Sequence, residues 1–252
     1  MLFNRHWRAA FAACVISAAA SAAHASVVLN GTRVIYQAKE REVTLKLSND
    51  GDAPALVQTW IDDGNANALP DDSKVPFTLT PPLFRLDPKK GQTLRIIHTQ
   101  DPLPEDRESV FWLNVLEVPP LAETAPGTPN SLQLAFRSRI KLFFRPAGLP
   151  GDANDAAAKV TWRFAKRAAG GYALAATNPT PYHVTFSRIA ARTGGAVYCN
   201  DKGAMVDPGA TVEFDVGQIG AVSAEVPAEV EYTTINDYGA GVAGAFRAQP
   251  KP

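Results

Sequence analysis

Cysteine is nearly absent from this chain. There are two, Cys14 and Cys199, and Cys14 lies in the N-terminal stretch, so after residue 25 Cys199 stands alone. No internal disulfide is available to the remainder, and no CxxC pair exists for a metal or redox centre. Cys199 reads as a small buried hydrophobe, and stability must come from packing. Histidine is scarce too. After residue 25 only His98 and His183 remain, in neither HxxxH nor HExxH spacing, and both read as ordinary strand residues. Neither G-x-S-x-G nor GxxxxGK[ST] occurs, which removes the local signs of a nucleophile elbow and of a phosphate loop. No cofactor is implied. Charge of one sign is lacking as well: Lys+Arg and Asp+Glu are 25 each. Such a balance gives no global pull towards nucleic acid, so any basic site must be local. Beyond the N-terminus no apolar run is long enough to span a bilayer. No short repeat and no long amphipathic helix pattern appears.

What the chain does have begins with a leader. Arg5 and Arg8 supply a basic start, Ala9 to Ala20 is apolar and small, and Ala23-His24-Ala25 fits a small-x-small cleavage site. The expectation is a signal peptide over residues 1–25, a mature start near Ser26 and a secreted product. Twenty prolines and 18 glycines scattered along the chain favour many short strands. Strand-like alternation marks Val27 to Tyr36, Glu42 to Ser48, Ala55 to Ile61, Thr93 to His98, Ser109 to Val118 and Leu132 to Phe144. Phe77 to Leu86 is broken by Pro81-Pro82 and fits a sheet edge. Asp62-Asp63 and Asp71-Asp72 read as solvated charge in a polar loop. Pro146 to Ala158, rich in Pro, Gly, Asp and Ala, is the best linker. It divides the chain into residues 26–147 and 148–252. Shorter strand candidates follow: Val160 to Ala165, Tyr172 to Ala176, His183 to Ala190, Gly195 to Cys199, Thr211 to Val216, Ala228 to Ile235 and Gly244 to Ala248. The pattern predicts an all-β chain of two β-sandwiches, each of about 100 to 120 residues.

One strand stands out. From Leu132 the alternation is strict: Leu132, Leu134 and Phe136 share one face, while Arg137, Arg139 and Lys141 follow on the other. One reading is an ordinary sandwich strand with its basic residues towards water. The other is an exposed edge that pairs with a partner strand, main-chain hydrogen bonds giving affinity and alternate side chains filling partner pockets. Its basic end would then hold a terminal carboxylate.

The sequence resembles the periplasmic chaperones of the chaperone–usher pilus pathway. The motifs that carry the resemblance run almost from the expected mature start to the C-terminus. In the first half they are Thr32-Arg33-Val34-Ile35-Tyr36, Thr80-Pro81-Pro82 before Phe84-Arg85-Leu86, and Asp106-Arg107-Glu108-Ser109 leading into Phe111-Trp112-Leu113-Asn114-Val115. Glu117-Val118-Pro119-Pro120 and Ile140-Lys141-Leu142-Phe143-Phe144-Arg145-Pro146 follow. In the second half they are Asn178-Pro179-Thr180-Pro181-Tyr182 and Ile235-Asn236-Asp237-Tyr238-Gly239. Each is weak alone; their joint order and spacing are specific.

The resemblance implies two immunoglobulin-like domains set as an L around a cleft. It implies that Arg33 and Lys141 anchor the C-terminal carboxylate of a pilus or fimbrial subunit. It also implies that Leu132, Leu134 and Phe136 lie on a strand lent to that subunit. Three such side chains, each worth roughly 1.5–3 kcal/mol when fully buried, sum to roughly 4.5–9 kcal/mol before association costs. Glu108, Arg145 and Asp237 are implied to form a charge network between the domains, structural in role. An outer-membrane usher is the further implied partner, and self-association through the spare edge is one more expectation. Many members carry a disulfide in the second domain, which this chain cannot form. Two competing classes are an adhesin-like sandwich that binds peptide or sugar, and a hydrolase whose triad is assembled from distant residues. A sugar binder should expose an aromatic platform, and Trp60, Trp112 and Trp162 show no shared row in the sequence.

Overall fold

The structure is a computed structural model that describes residues 26–99, 101–121, 133–168, 170–193, 195–219 and 226–248. The first nine strands are β1 (Val27–Leu29), β2 (Arg33–Gln37), β3 (Val43–Asn49), β4 (Ala55–Asp62), β5 (Phe77–Thr80), β6 (Leu83–Leu86), β7 (Gly91–His98), β8 (Ser109–Val118) and β9 (Phe136–Arg145). They make two sheets, β1-β3-β7-β5 and β2-β9-β8-β4-β6. Every pair is antiparallel except β2 with β9. Alternation drives the packing: in β3, Leu45 and Leu47 point inwards, and in β8 so do Phe111, Leu113 and Val115. Leu45, Phe111 and Leu113 meet Tyr36, Ile96, Leu142 and Phe144 in the core between the sheets, and Leu47 and Val115 continue it. Val57 and Leu94, fully buried, close its far end.

The remaining strands are β10 (Thr161–Lys166), β11 (Tyr172–Thr177), β12 (Val184–Thr193), β13 (Ala196–Asn200), β14 (Ala204–Val206), β15 (Thr211–Ile219), β16 (Glu229–Ile235) and β17 (Gly241–Arg247). They form the sheets β10-β11-β15 and β13-β12-β16-β17, with β14 added to β12. Trp162, Phe186, Phe214 and Tyr232 pack edge-on and stacked at the centre of this second sandwich. No sheet among the described residues joins the two halves. The all-β, two-sandwich expectation matches this architecture.

Several local expectations need correction. Val27 to Tyr36 is two strands in opposite sheets, because the chain turns at Asn30-Gly31-Thr32 and crosses over. Phe77 to Leu86 divides in the same way at Pro81-Pro82, whose nitrogens carry no donor, and each piece is a sheet edge. The linker reading extends too far. Ala153–Lys159 is a 3₁₀ turn started by the Asp152 carboxylate, which accepts from the Asn154 amide at 2.8 Å, and Ala156 is buried in the second core. Cys199 is exposed. Its neighbour Tyr198 takes the inward position on edge strand β13, and alternation turns the thiol out.

Candidate functional site

β9 is paired unequally on its two sides. It hydrogen-bonds β8 from Phe136 to Phe144, but β2 accompanies it only from Lys141 to Arg145. Among the described residues the stretch Phe136–Ile140 therefore has a sheet neighbour on one side and an open edge on the other. Register places Phe136 opposite Glu117 and Ile140 opposite Leu113, so these residues share the inward face. The inward face runs out of cover here: Phe136 is 44% exposed and Leu134, just before the strand, 55%. Leu132 lies outside the described residues. Gln133 donates from Nε2 to the Pro119 carbonyl at 2.7 Å.

The outward row is Arg137, Arg139 and Lys141, opposite Leu116, Asn114 and Trp112. Two of these cations are used within the sheet. Arg137 donates to Asn114 Oδ1 from Nε (2.9 Å) and Nη2 (2.6 Å), and its guanidinium lies 4.7 Å from the Trp60 ring centre. Arg139 donates from Nε to Asp62 Oδ2 at 3.1 Å and stacks 4.1 Å from the Trp112 ring centre. Asp62 is 1% exposed, so its reading as solvated loop charge is overturned: it ends β4 beneath the two arginines. Burial alone pushes its carboxyl up, but hydrogen bonds from Arg139, Asn114 and the Gly64 amide outweigh this and hold it below the usual range. Asp62→Ala leaves Arg139 without its carboxylate partner and removes the shortest of the bonds that Asn114 Nδ2 donates. It is expected to destabilise the first sandwich by about 3 kcal/mol in urea unfolding at neutral pH. The wild-type advantage should shrink as pH falls below the ordinary aspartate range, because a depressed carboxyl stabilises only while ionised.

Lys141 lies 5.5 Å from the Trp112 ring centre but has no acidic partner among the described residues. Its register mate across the parallel pair is Arg33, so both cations stand side by side on the outward face. Among the described residues neither forms an ion pair with an acid. Burial pushes Lys141 down to about 8, and the Arg33 charge adds to this against a weaker pull from Asp207. Arg33 is lowered by burial, opposed by Asp237 and Glu108. It donates from Nη1 to the Ile235 carbonyl at 3.0 Å, while its buried Nε–H has no acceptor among the described residues. Two adjacent, partly desolvated cations with donors to spare make a site for an anion, and the planar Arg fork suits a carboxylate.

The sandwiches meet beneath this pair. Arg145, last in β9, donates from Nε to Glu108 Oε1 at 2.6 Å and from Nη1 and Nη2 to both Asp237 oxygens at 2.7 and 2.9 Å. All three residues expected in the network are thus in contact. Sequence reasoning missed a fourth. His183, read as an ordinary strand residue, precedes β12, with its backbone N–H 2.8 Å and its ring Nδ1 3.1 Å from Glu108 Oε2. Burial works to raise Glu108, yet the His183 bonds and Arg145 prevail and hold it low. Local sequence explains the placement. Asn178, fully buried, donates from Nδ2 to the Tyr182 carbonyl at 2.7 Å and accepts from Thr180, fastening a loop whose Pro181 carbonyl receives the Glu108 N–H at 2.9 Å. Asn236 Oδ1 accepts from the Tyr238 and Ala240 amides and shapes the turn that presents Asp237. Gly239 in that turn has φ +80°, and a Cβ there would meet Thr32 Oγ1, so the motif's glycine permits close approach to the strand bearing Arg33.

Sequence comparison decides the family. The profile described as "Pili and flagellar-assembly chaperone, PapD N-terminal domain" matches residues 26–150, and "Pili assembly chaperone PapD, C-terminal domain" matches residues 155–246. The chain belongs to the pilus-assembly chaperone family. The chaperone is 49% identical over 235 residues to the Bordetella pertussis "Chaperone protein FimB/FhaD", covering 92% of this chain and 91% of that one. It is 41% identical to the Escherichia coli "Probable fimbrial chaperone YadV", over 98% and 100% of the two chains. The YadV crystal structure superposes with a TM-score of 0.72 at 40% identity, covering 88% of this chain and all of that one. The Salmonella enterica SafB chaperone, solved with the SafA pilin, gives a TM-score of 0.70 at 30% identity, over 88% and 96%. Pilus chaperones of this family are periplasmic, and the family is one of chaperones rather than enzymes. No described helix of this chaperone is long and apolar enough to cross a membrane. The comparisons support the chaperone role over the adhesin alternative. The geometry agrees: Trp60 and Trp112 do share the outer face, but Arg137 and Arg139 cover them and leave no aromatic platform.

Proposed function

We propose that the chaperone binds pilus or fimbrial subunits by lending them the open edge of β9. The subunit's C-terminal carboxylate sits between Arg33 and Lys141. From that anchor its last strand runs along Phe136–Ile140, and Leu132, Leu134 and Phe136 enter its hydrophobic groove. The single observation that carries this reading is the unpaired edge beside two exposed apolar side chains and two cations lacking acidic partners among the described residues. An edge of this kind is a template for β-addition, and a subunit lacking a strand would otherwise aggregate. The SafB chaperone in complex with the SafA pilin supports the choice of partner.

The remaining parts of the reading follow. The leader is cleaved near Ser26, and the chaperone works in the periplasm and hands its subunit to an outer-membrane usher. In the free chaperone, self-association hides the same edge. The two domains, residues 26–147 and 148–252, are held at a fixed angle by Glu108, Arg145 and Asp237. Asp237→Asn removes one charge from this network while keeping its shape. It is expected to lower stability by about 1–2 kcal/mol, since Asp237 is partly exposed, and to speed proteolysis between Ala147 and Asp152. Small-angle scattering that shows an unchanged, equally rigid interdomain arrangement would count against the role. The binding reading is tested by co-expression in the periplasm with candidate subunits. Soluble one-to-one complexes are expected with a true client, and none with a client lacking its terminal residues.

A further inference from the structure

Glu117 is a carboxylate without a cationic partner among the described residues. It faces the core from β8, is 7% exposed, and forms no ion pair with a cationic side chain among the described residues. Its hydrogen-bond partners among the described residues all belong to Ser26 and Val27, the expected start of the mature chain. Oε1 accepts from the Ser26 backbone nitrogen at 3.2 Å and from the Ser26 hydroxyl, and Oε2 accepts from the Val27 N–H at 3.1 Å. Burying an ionised carboxylate against neutral donors alone is costly, whereas a cation at the same distance would compensate its charge. Ser26 itself is firmly seated. Its carbonyl accepts from the Asp50 amide at 2.7 Å, and a Cβ on Gly51 would lie 2.5 Å from the Ser26 Cβ, so the Asn49-Asp50-Gly51 turn has been left open for it.

We propose that Glu117 is the counter-ion for the α-amino group created at Ser26 when the leader is removed, so that processing completes the fold of the first domain. The inference rests on the reading that cleavage follows Ala25. Hydrolysis adds one water across the Ala25–Ser26 amide, catalysed by a leader peptidase. It leaves a carboxylate on Ala25 and an amine on Ser26 that takes up a proton, because an α-amino group has a pKa of about 7.7–8.0. Before the cut the Ser26 backbone nitrogen offers Glu117 one neutral N–H; afterwards it offers an ammonium. The pair straps β1, an edge of one sheet, to β8 in the other. Glu117 is also the register partner of Phe136, so the strap sits at the root of the open β9 edge. A chain still carrying its leader lacks the ion pair, and the platform behind that edge is settled only after release.

The test uses the full mature chain with two N-termini, each with Glu117 and with Glu117→Gln. One form is exported and processed, and intact mass establishes where it starts. The other carries one additional glycine before Ser26, which moves the charge away by a residue. The glycine is expected to lower the Tm of the Glu117 protein by about 5 °C and that of Glu117→Gln by less than about 1 °C. An equal loss in both backgrounds overturns the proposal while leaving the leader reading intact. A processed chain that starts elsewhere than Ser26 overturns both. If Glu117→Gln fails to fold, hydrogen exchange of the Val27 and Asp50 amides in the two Glu117 forms decides. Faster exchange with the added glycine supports the clasp, and equal exchange overturns it.

Discussion

Replacing Leu134 with arginine is expected to weaken subunit binding at least about 100-fold while leaving the chaperone's own stability within about 0.5 kcal/mol. The second half follows from position. Leu134 lies outside β9 and is 55% exposed, so the free protein loses little when it changes. The first half follows from the destination. A guanidinium carried into an apolar groove without a partner costs several kcal/mol, and each 1.4 kcal/mol is about a tenfold loss. The apolar gain surrendered is smaller than three full burials. With Leu134 and Phe136 already about half covered, each adds about 0.8–1.5 kcal/mol on complete burial, not 1.5–3. Affinity must then lean on main-chain pairing along the open edge and on the two cations as well. Titration of a purified subunit against the variant, with circular dichroism to establish folding, checks both halves. Unchanged affinity in a folded protein would remove the donated strand from the account.

Lys141→Met is expected to have opposite effects on the free and the bound protein. In the complex, truncating one member of a buried, hydrogen-bonded charge pair costs about 2–5 kcal/mol, a loss of roughly 30- to several-thousand-fold in affinity. In the free chaperone the same change is stabilising, because Lys141 is held at about 8 by burial and by Arg33, well below an ordinary lysine. Its charged form is therefore disfavoured by folding. Between about pH 8 and the unfolded lysine pKa of about 10.4 the unfolded chain binds more protons, so free wild-type chaperone gains stability as pH rises through that window. The methionine variant, with nothing to titrate at this position, loses that slope. Subunit binding runs the other way. A carboxylate beside Lys141 favours its charged form, so affinity is greatest below pH 8 and falls above it by at most about tenfold per pH unit. Lys141→Arg keeps the charge and should flatten the fall. Denaturation and titration series from pH 7 to 9.5 separate the two signs. A destabilised Lys141→Met protein would show that Lys141 has an internal counter-ion after all.

Much of this was legible in the amino-acid sequence, for physical reasons that also mark where legibility stopped. Alternation located nearly every strand because a half-buried strand must repeat every two residues. It failed at Val27 to Tyr36, where the alternation runs through a crossover between sheets. It also failed at Ala204–Val206, which is too short to show a period. The contacts of Arg145 with Glu108 and Asp237 join residues far apart in the chain, and only the family's motif order brought those three together. Asp62 misled because a carboxylate next to a polar loop usually meets water, and nothing local reveals the two arginines above it. His183 and Glu117 were passed over because their partners are a buried carboxylate in the other sandwich and the backbone of Ser26 and of Val27, the latter 90 residues away in sequence. The signal that would have found His183 is its place at the end of Asn178-Pro179-Thr180-Pro181-Tyr182, a loop too rigid to be an ordinary connection.

Backbone hydrogen exchange along β9 tests the central claim most directly. In the free chaperone, diluted until it is monomeric, amides of Phe136–Ile140 that bond to β8 should be protected and those facing the open edge should exchange quickly. On addition of a one-to-one subunit the edge-facing amides should slow sharply, while those bonded to β8 keep their protection. Edge-facing amides that are already slow in the free monomer, or that remain fast in a saturated complex, would mean that the subunit is held by some other surface.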